Sequence, residues 1–289
     1  MNKIALIFSK VREDTVGRYI ERVFEELEFS FDHYCSSQMK AIPKGHVLYF
    51  RVADGYEDRK LPLYLKPSVY WTSDVHLEGP YHHLKHQVKN YNIIFSCLPL
   101  GIEKLRNYSN KNIYVPFGCD PKIHKKLNLP KRYDIGFVGT DGGIPRKFIL
   151  QELRERYPNS FMGLAPSTQM AEIYSQSKVG FNYPIRLEGM TMRSFEIPAC
   201  GTLQFMPRLP KQWIEQTGFH HKKNIIIYEN FSDLVHLIDY YLAHDEEREK
   251  IAQAGHEHVL SHHTYKHKVV EIFHHIEREL GLVYGSFSV

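Results

Sequence analysis

The first thirty positions set two periods side by side. Ile4-Ala5-Leu6-Ile7-Phe8 is a short continuous apolar run, after which Val16, Tyr19, Ile20, Val23, Phe24 and Leu27 recur at i, i+3, i+4, i+7, i+8 and i+11. The run predicts a buried strand and the recurrence an amphipathic helix. Short runs rich in β-branched and aromatic residues predict further strands at 46–52, 68–71, 91–96 and 112–115. The stretch 122–132 holds Lys122, Lys125, Lys126, Pro130, Lys131 and Arg132, too polar for a core, and is expected to be a linker. A second series follows, with a strand at 134–138, helices at 145–157 and 168–177, a strand at 179–183, a helix at 192–199 and strands at 202–206 and 224–228. Helices at 232–243, 246–258 and 265–280 finish the chain. Strands that alternate with crossover helices imply parallel, doubly wound sheets, which bind ligands at the carboxyl ends of their strands. The expected division is 1–125 and 126–264, with the helix of 265–289 packing back on the first domain.

Composition agrees with two ordinary globular domains. The 289 residues are 43% hydrophobic, enough for two cores, and the net charge of +4 suits an anionic ligand without marking a nucleic-acid coat. No run approaches the ~20 apolar residues of a membrane span, and the opening run is too short for a signal peptide. Cys35, Cys97, Cys119 and Cys200 form no CxxC pair, which points to reduced thiols and a cytoplasmic location. The late histidines His256, His258, His262, His263, His267, His274 and His275 lack a metal spacing and read as solvated helix faces. The first strand-to-helix turn, from Ser9 to Asp14, has no glycine-rich dinucleotide loop, which argues against a dehydrogenase.

The segment richest in chemistry runs from Glu188 through Met192, Arg193 and Glu196 to Pro198-Ala199-Cys200-Gly201. With Glu188 in a loop and Glu196 in the first turns of the next helix, both carboxylates can face one ligand near that helix's N-terminus. Such carboxylates accept hydrogen bonds from vicinal hydroxyls, while helix amides and a cation hold phosphates. On spacing alone, two surface glutamates with an Arg193–Glu196 i,i+3 pair are the simpler reading. Pro198 must end or kink that helix. The aromatics Tyr56, Tyr64, Tyr70, Trp71, Tyr81 and Tyr91 stand among bases and can stack sugars or nucleobases, though half-core, half-rim packing is the commoner role.

Glu188-x7-Glu196 followed by Pro-Ala-Cys-Gly resembles the E-x7-E block of group 1 glycosyltransferases. Four further blocks fit the CgeB-like branch of that group. They are Tyr70-Trp71-Thr72-Ser73-Asp74-Val75-His76, the Val115 to His124 turn with Asp120, the Asp134 to Arg146 stretch with Gly139, Thr140 and Gly143, and His263-Thr264-Tyr265. The similarity runs from about Trp71 to the C-terminus, and residues 1–70 are only compatible with it. The resemblance implies the GT-B fold, an α/β architecture of two Rossmann-like domains facing a central cleft, with the nucleotide sugar mostly on the second and the acceptor mostly on the first.

Carried over by position, Glu188 binds the donor sugar's hydroxyls and Glu196 the ribose hydroxyls. Arg146 and Lys147, at the start of a helix after the Gly139-Thr140 loop, are placed for the diphosphate, with Arg193 as a second cation and Met192 beside it. His76 touches the donor sugar or the acceptor hydroxyl, unless it is a plain surface histidine. Asp74 is a candidate base for an inverting displacement, whereas the E-x7-E block points to retention. No metal or cofactor is expected, since helix N-termini and basic side chains meet the diphosphate charge in this fold.

The resulting expectation is a hexosyl- or pentosyltransferase using a UDP-sugar, acting on a glycan, lipid-linked or surface-polymer hydroxyl. The same chemistry on a hydroxymethylated base of DNA is an alternative, and a non-catalytic nucleotide-binding scaffold is another.

Overall fold

The computed structural model describes residues 3–55, 58–109, 111–185, 187 and 189–284. The chain forms two compact units, one built from the residues up to Pro116 together with those from Tyr265 on, the other from Phe117–Thr264. The contacts thus divide the chain at Pro116, ahead of the polar stretch expected as a linker.

In the first unit β1 (Ile4–Ile7) leads into α1 (Val16–Glu26), followed by β2 (Phe31–Tyr34), β3 (Leu48–Val52) and β4 (Ser68–Thr72). Then come α2 (Glu78–Leu84), β5 (Ile93–Ser96), α3 (Pro99–Lys104) and β6 (Asn112–Tyr114). Thr15 caps α1 by accepting from the Arg18 N–H at 3.4 Å, and the predicted face of Val16, Tyr19, Ile20, Val23 and Phe24 is buried. The helix stops where Glu28 turns to φ 55°. The six-stranded sheet has the order β2-β1-β3-β4-β5-β6, with every recorded pairing parallel. All residues of β3 and β4 are buried, as a parallel sheet covered on both faces requires.

The second unit runs β7 (Tyr133–Val138), α4 (Arg146–Arg156), β8 (Phe161–Gly163), α5 (Ser167–Ser175), β9 (Ser177–Phe181) and α6 (Arg193–Ala199). It continues through β10 (Leu203–Pro207), α7 (Lys211–Glu215), β11 (Ile226–Tyr228), α8 (Phe231–Ala243) and α9 (Asp245–His262). Its five strands, also parallel, have the order β11-β10-β9-β7-β8. From β7 the chain goes outward to β8 and then crosses back to β9, so the order reverses between β7 and β9. A crevice at the carboxyl ends of those two strands is the place where such a sheet takes a ligand. Gly180 of β9 makes room for α6, because a Cβ there would lie 2.4 Å from Ile197 Cγ2. Pro198 sits in the last turn of α6, which ends as Gly201 turns to φ +72°.

The last helix, α10 (Tyr265–Leu280), belongs to the first unit and lies against α1. Tyr265 stacks on Tyr19 with centroids 4.9 Å apart, and Phe273 packs edge-on to Phe24.

Two expectations need correction. The stretch from Lys122 to Arg132 has no regular element, yet His124 within it is wholly buried. The late histidines are not all solvated either: His263 is buried and stacks on Phe219 at 6.0 Å, with its Nε2 donating to the Thr217 carbonyl at 2.8 Å. That carbonyl also meets His258 Nε2 at 2.8 Å, so the tail of α9 is fixed by polar contacts that composition does not reveal.

Candidate functional site

The loop leaving β7 begins with Gly139 at φ +153° and contains Gly142 and Gly143 at φ +64° and +81°. Two of these glycines lie against arginines. A Cβ on Gly139 would stand 2.5 Å from Arg193 Nη2, and one on Gly142 would stand 1.8 Å from Arg146 Nη2. The loop therefore passes between two guanidinium groups, and only glycine permits both its dihedrals and that approach.

Arg146, the first residue of α4, is only 4% exposed. Its Nε donates to the Asp141 carbonyl at 3.0 Å, Nη1 to the Tyr183 carbonyl at 3.2 Å and Nη2 to Thr140 Oγ1 at 3.2 Å. These bonds tie the glycine loop to the end of β9. Burial, and after it the nearby Arg193, bring the guanidinium down to about 10, so it remains a cation at neutral pH. Lys147, the next residue, is exposed.

Arg193 opens α6. Its Nη2 and Nε both donate to the Val138 carbonyl, at 3.0 and 3.2 Å, and its guanidinium lies 4.6 Å from the centroid of the Phe137 ring. Arg146 lies 5.7 Å from the same centroid. Among the described residues neither guanidinium is paired with a carboxylate. Two cations at one strand end, with no ion-pair partner among the described residues, make a local positive potential suited to an anion. Beneath them Asn182 is buried, with its amide donating to Ser194 Oγ at 3.0 Å, and Ser194 Oγ accepts from the Thr191 N–H at 3.2 Å. These bonds fix the approach to α6.

Glu196 stands one turn into α6 and is 6% exposed. Its Oε1 is 3.6 Å from Nε2 of the buried His124. Met192 occupies the position before the helix N-terminus and is half-buried. Glu188 and Tyr56 lie outside the described residues.

In the first unit, Asp74 and His76 follow β4 and are half-buried. Burial pushes the Asp74 carboxyl up, and His76 pulls the other way. The Cys97 thiol, at the end of β5, is held far above its usual range by burial first and by Asp74 second, so it stays protonated. This sheet reverses its strand order between β1 and β3, where Asp54 accepts from the Ser9 N–H at 2.6 Å and from the Ser36 hydroxyl.

A family model described as glycosyl transferase-like matches residues 124–274, just over half of the chain. The chain belongs to this family. Among solved structures, a sucrose-phosphate synthase from Thermosynechococcus elongatus is similar at TM-score 0.68 and 12% identity, covering 97% of this chain and 100% of that one. HepE of Anabaena, in complex with UDP and glucose, is similar at TM-score 0.63 and 10% identity, again over 97% and 100%. T4 phage BGT, in complex with UDP and Mn2+, is similar at TM-score 0.62 and 14% identity over the same shares. At such identities the likeness establishes the fold, which is GT-B, and the chain is a glycosyltransferase of that fold. No curated protein matches it by sequence.

In this glycosyltransferase, Gly139, Thr140, Arg146, Arg193 and Glu196 come together at the strand-order reversal of the second sheet, with Lys147 and Met192 at its margin. Asp74 and His76 belong to the other unit. Sequence reasoning gave His124 no role beyond its place in the Val115 to His124 block, because the polar residues around it disguised its burial, and it missed Asn182, an amide just past the end of β9. Among the described residues no group of three or more His, Cys, Asp or Glu side chains is placed to hold a metal ion, and no helix is long and apolar enough to cross a membrane.

Proposed function

We propose that this glycosyltransferase, of the CgeB-like branch, transfers a sugar from a UDP-sugar to an acceptor hydroxyl with retention. The observation that carries the donor reading is the glycine loop threaded between Arg146 and Arg193, with the buried carboxylate of Glu196 on the same short helix as Arg193. An anion enters such a loop to meet backbone amides and cations together. Arg146 already makes three hydrogen bonds within the fold, so its part is to brace the loop, while exposed Lys147 reaches the diphosphate. Thr140 offers its N–H group and Met192 flanks it, while Gly139, whose own N–H donates to the Gly163 carbonyl at 2.9 Å, lets the backbone come close to the phosphates. Glu196 accepts from the ribose hydroxyls. As the first carboxylate of the E-x7-E block, Glu188 accepts from those of the sugar.

HepE and T4 phage BGT were both solved with UDP, which supports uracil as the base. With retention the leaving phosphate oxygen takes the acceptor's proton as the new glycosidic bond forms on the face that UDP leaves. His76 orients the reacting hydroxyl. Asp74, its carboxyl raised by burial, is the base that inversion would need instead. Diphosphate charge met by these cations requires no metal ion. The four unbridged cysteines support a cytoplasmic location.

The test is a melting-temperature panel of nucleotide sugars followed by UDP-release assays. A donor at 100 times its dissociation constant adds about 2.7 kcal/mol of stability. Stabilisation by UDP-sugars that disappears in Glu196→Ala supports the assignment, and equal response of the two proteins refutes it. Acceptor arms with oligosaccharide, lipid-linked glycan and hydroxymethylated DNA then identify the hydroxyl that is used. The anomer formed decides between retention and inversion.

A further inference from the structure

His124 stands in a tight turn that begins at Asp120. The Asp120 carbonyl accepts from the N–H groups of Ile123 and His124 at 3.0 and 2.7 Å, and its carboxylate accepts from the Lys122 N–H at 2.9 Å. The turn folds the imidazole back over the N–H of Asp120, which donates to His124 Nδ1 at 3.1 Å. A ring nitrogen that accepts a hydrogen bond carries no proton, so this imidazole is neutral, with its single proton on Nε2. That nitrogen faces Oε1 of Glu196 at 3.6 Å. The histidine is wholly buried, and Glu196 keeps 6% of its surface.

We propose that His124 is a positioning residue that presets Glu196 for the ribose diol of the donor, an inference that rests on the donor reading above. A carboxylate has two oxygens and about four lone-pair sites. His124 addresses Oε1 from the buried side and leaves the other oxygen for vicinal hydroxyls. Because the imidazole is neutral, it orients the carboxylate without cancelling its charge, so the full acceptor strength is presented to the ligand. The 3.6 Å separation is longer than a hydrogen bond, and a closure of about 0.6 Å completes one. Ribose binding, which draws the carboxylate into a fixed plane, supplies a reason for that closure. The backbone N–H of Asp120 thus selects a tautomer, and the tautomer aims a carboxylate on a different element.

The experiment uses the full chain, with His124→Phe, which keeps the ring volume without a donor, and His124→Gln, which returns an amide N–H near the Nε2 position. Calorimetric titration with UDP is compared with 2′,3′-dideoxyuridine diphosphate, and melting curves without ligand record folding. We expect His124→Phe to weaken UDP about ten-fold while the dideoxy nucleotide is held as by the parent protein. We also expect His124→Gln to recover most of the loss, and the donor KM to rise with kcat little changed. Equal losses for the two nucleotides, or no loss for UDP, overturn the proposal. If His124→Phe does not fold, His124→Gln decides: UDP binding lost together with dideoxy binding overturns it. Failure of the parent protein to bind UDP at all is a distinct result, which overturns the donor reading and this inference with it.

Discussion

The placement of Arg193 and Glu196 depends on how closely α6 sits on its sheet, and Gly180→Ala measures that seat. Gly180 lies mid-strand in β9, opposite Gly136 of β7 and Gln204 of β10, so its backbone is held on both sides. The new methyl would lie 2.4 Å from Ile197 Cγ2 and 3.4 Å from Cδ1 and Cγ1 of the same side chain. Carbon atoms rest at roughly 3.5–4.0 Å, so the pair must separate by about 1.1–1.6 Å. Since the strand is pinned, the helix takes up the movement. Overpacking of this kind costs about 1–3 kcal/mol, and urea unfolding should show that loss with an unchanged m-value. Because Ile197 follows Glu196 directly, donor affinity should fall as well. Ile197→Ala removes the clashing atoms, so the double variant should lose less than the sum of the two single losses. Gly180→Ala within about 0.5 kcal/mol of the parent, or strict additivity, would refute the idea that this glycine seats the helix.

Three other perturbations separate roles that the sequence lumps together. Lys147→Ala should leave the urea midpoint within about 0.5 kcal/mol of the parent, since the side chain is exposed, and should weaken UDP with a flatter salt dependence; Arg146→Gln, by contrast, removes a guanidinium that makes three hydrogen bonds and should lower both stability and affinity. Asp74 has a carboxyl raised by burial, so its contribution to stability is greatest below the unfolded carboxylate range and is lost as pH rises through the folded value. Asp74→Asn should therefore be more stable than the parent at pH 7, with the advantage disappearing below about pH 4, and an advantage that grows on acidification would contradict this sign. Turnover measured in excess EDTA should match turnover without it, whereas a loss restored by Mn2+ would show that a cation shares the diphosphate with Lys147.

The alternating pattern of apolar runs and helix-period segments carried most of the architecture, because β1, β3, β4, β5 and β10 are buried and mostly apolar, and β7 and β9 become so over residues 135–138 and 179–181. The missed strands, β2 and β8, are both edge strands of partial burial. Such a strand needs only one good neighbour, so Asp32 and His33 can occupy β2, and β8 takes only the three residues Phe161-Met162-Gly163 of a run too short to single out as a strand. Strand 179–183 was placed two residues late for a related reason: Ser177 and Lys178 are polar, yet Ser177 is wholly buried and donates to the Ile173 carbonyl at 2.7 Å. The glycine loop and the basic residues at the start of α4 were legible as a group. Their division of labour was not, since whether an arginine faces a ligand or braces a loop depends on carbonyls such as that of Tyr183, which any residue type would provide. The same limit hid His124. A histidine among lysines reads as solvated unless something distant in sequence faces it, and here that is Glu196. Backbone groups therefore decide what these side chains do, and a backbone N–H or carbonyl leaves no mark on composition or periodicity. It follows that substitutions at Asp120 that preserve its turn should be tolerated by donor binding, whereas a change that reorients its N–H should disturb Glu196 although Asp120 itself does not meet the nucleotide.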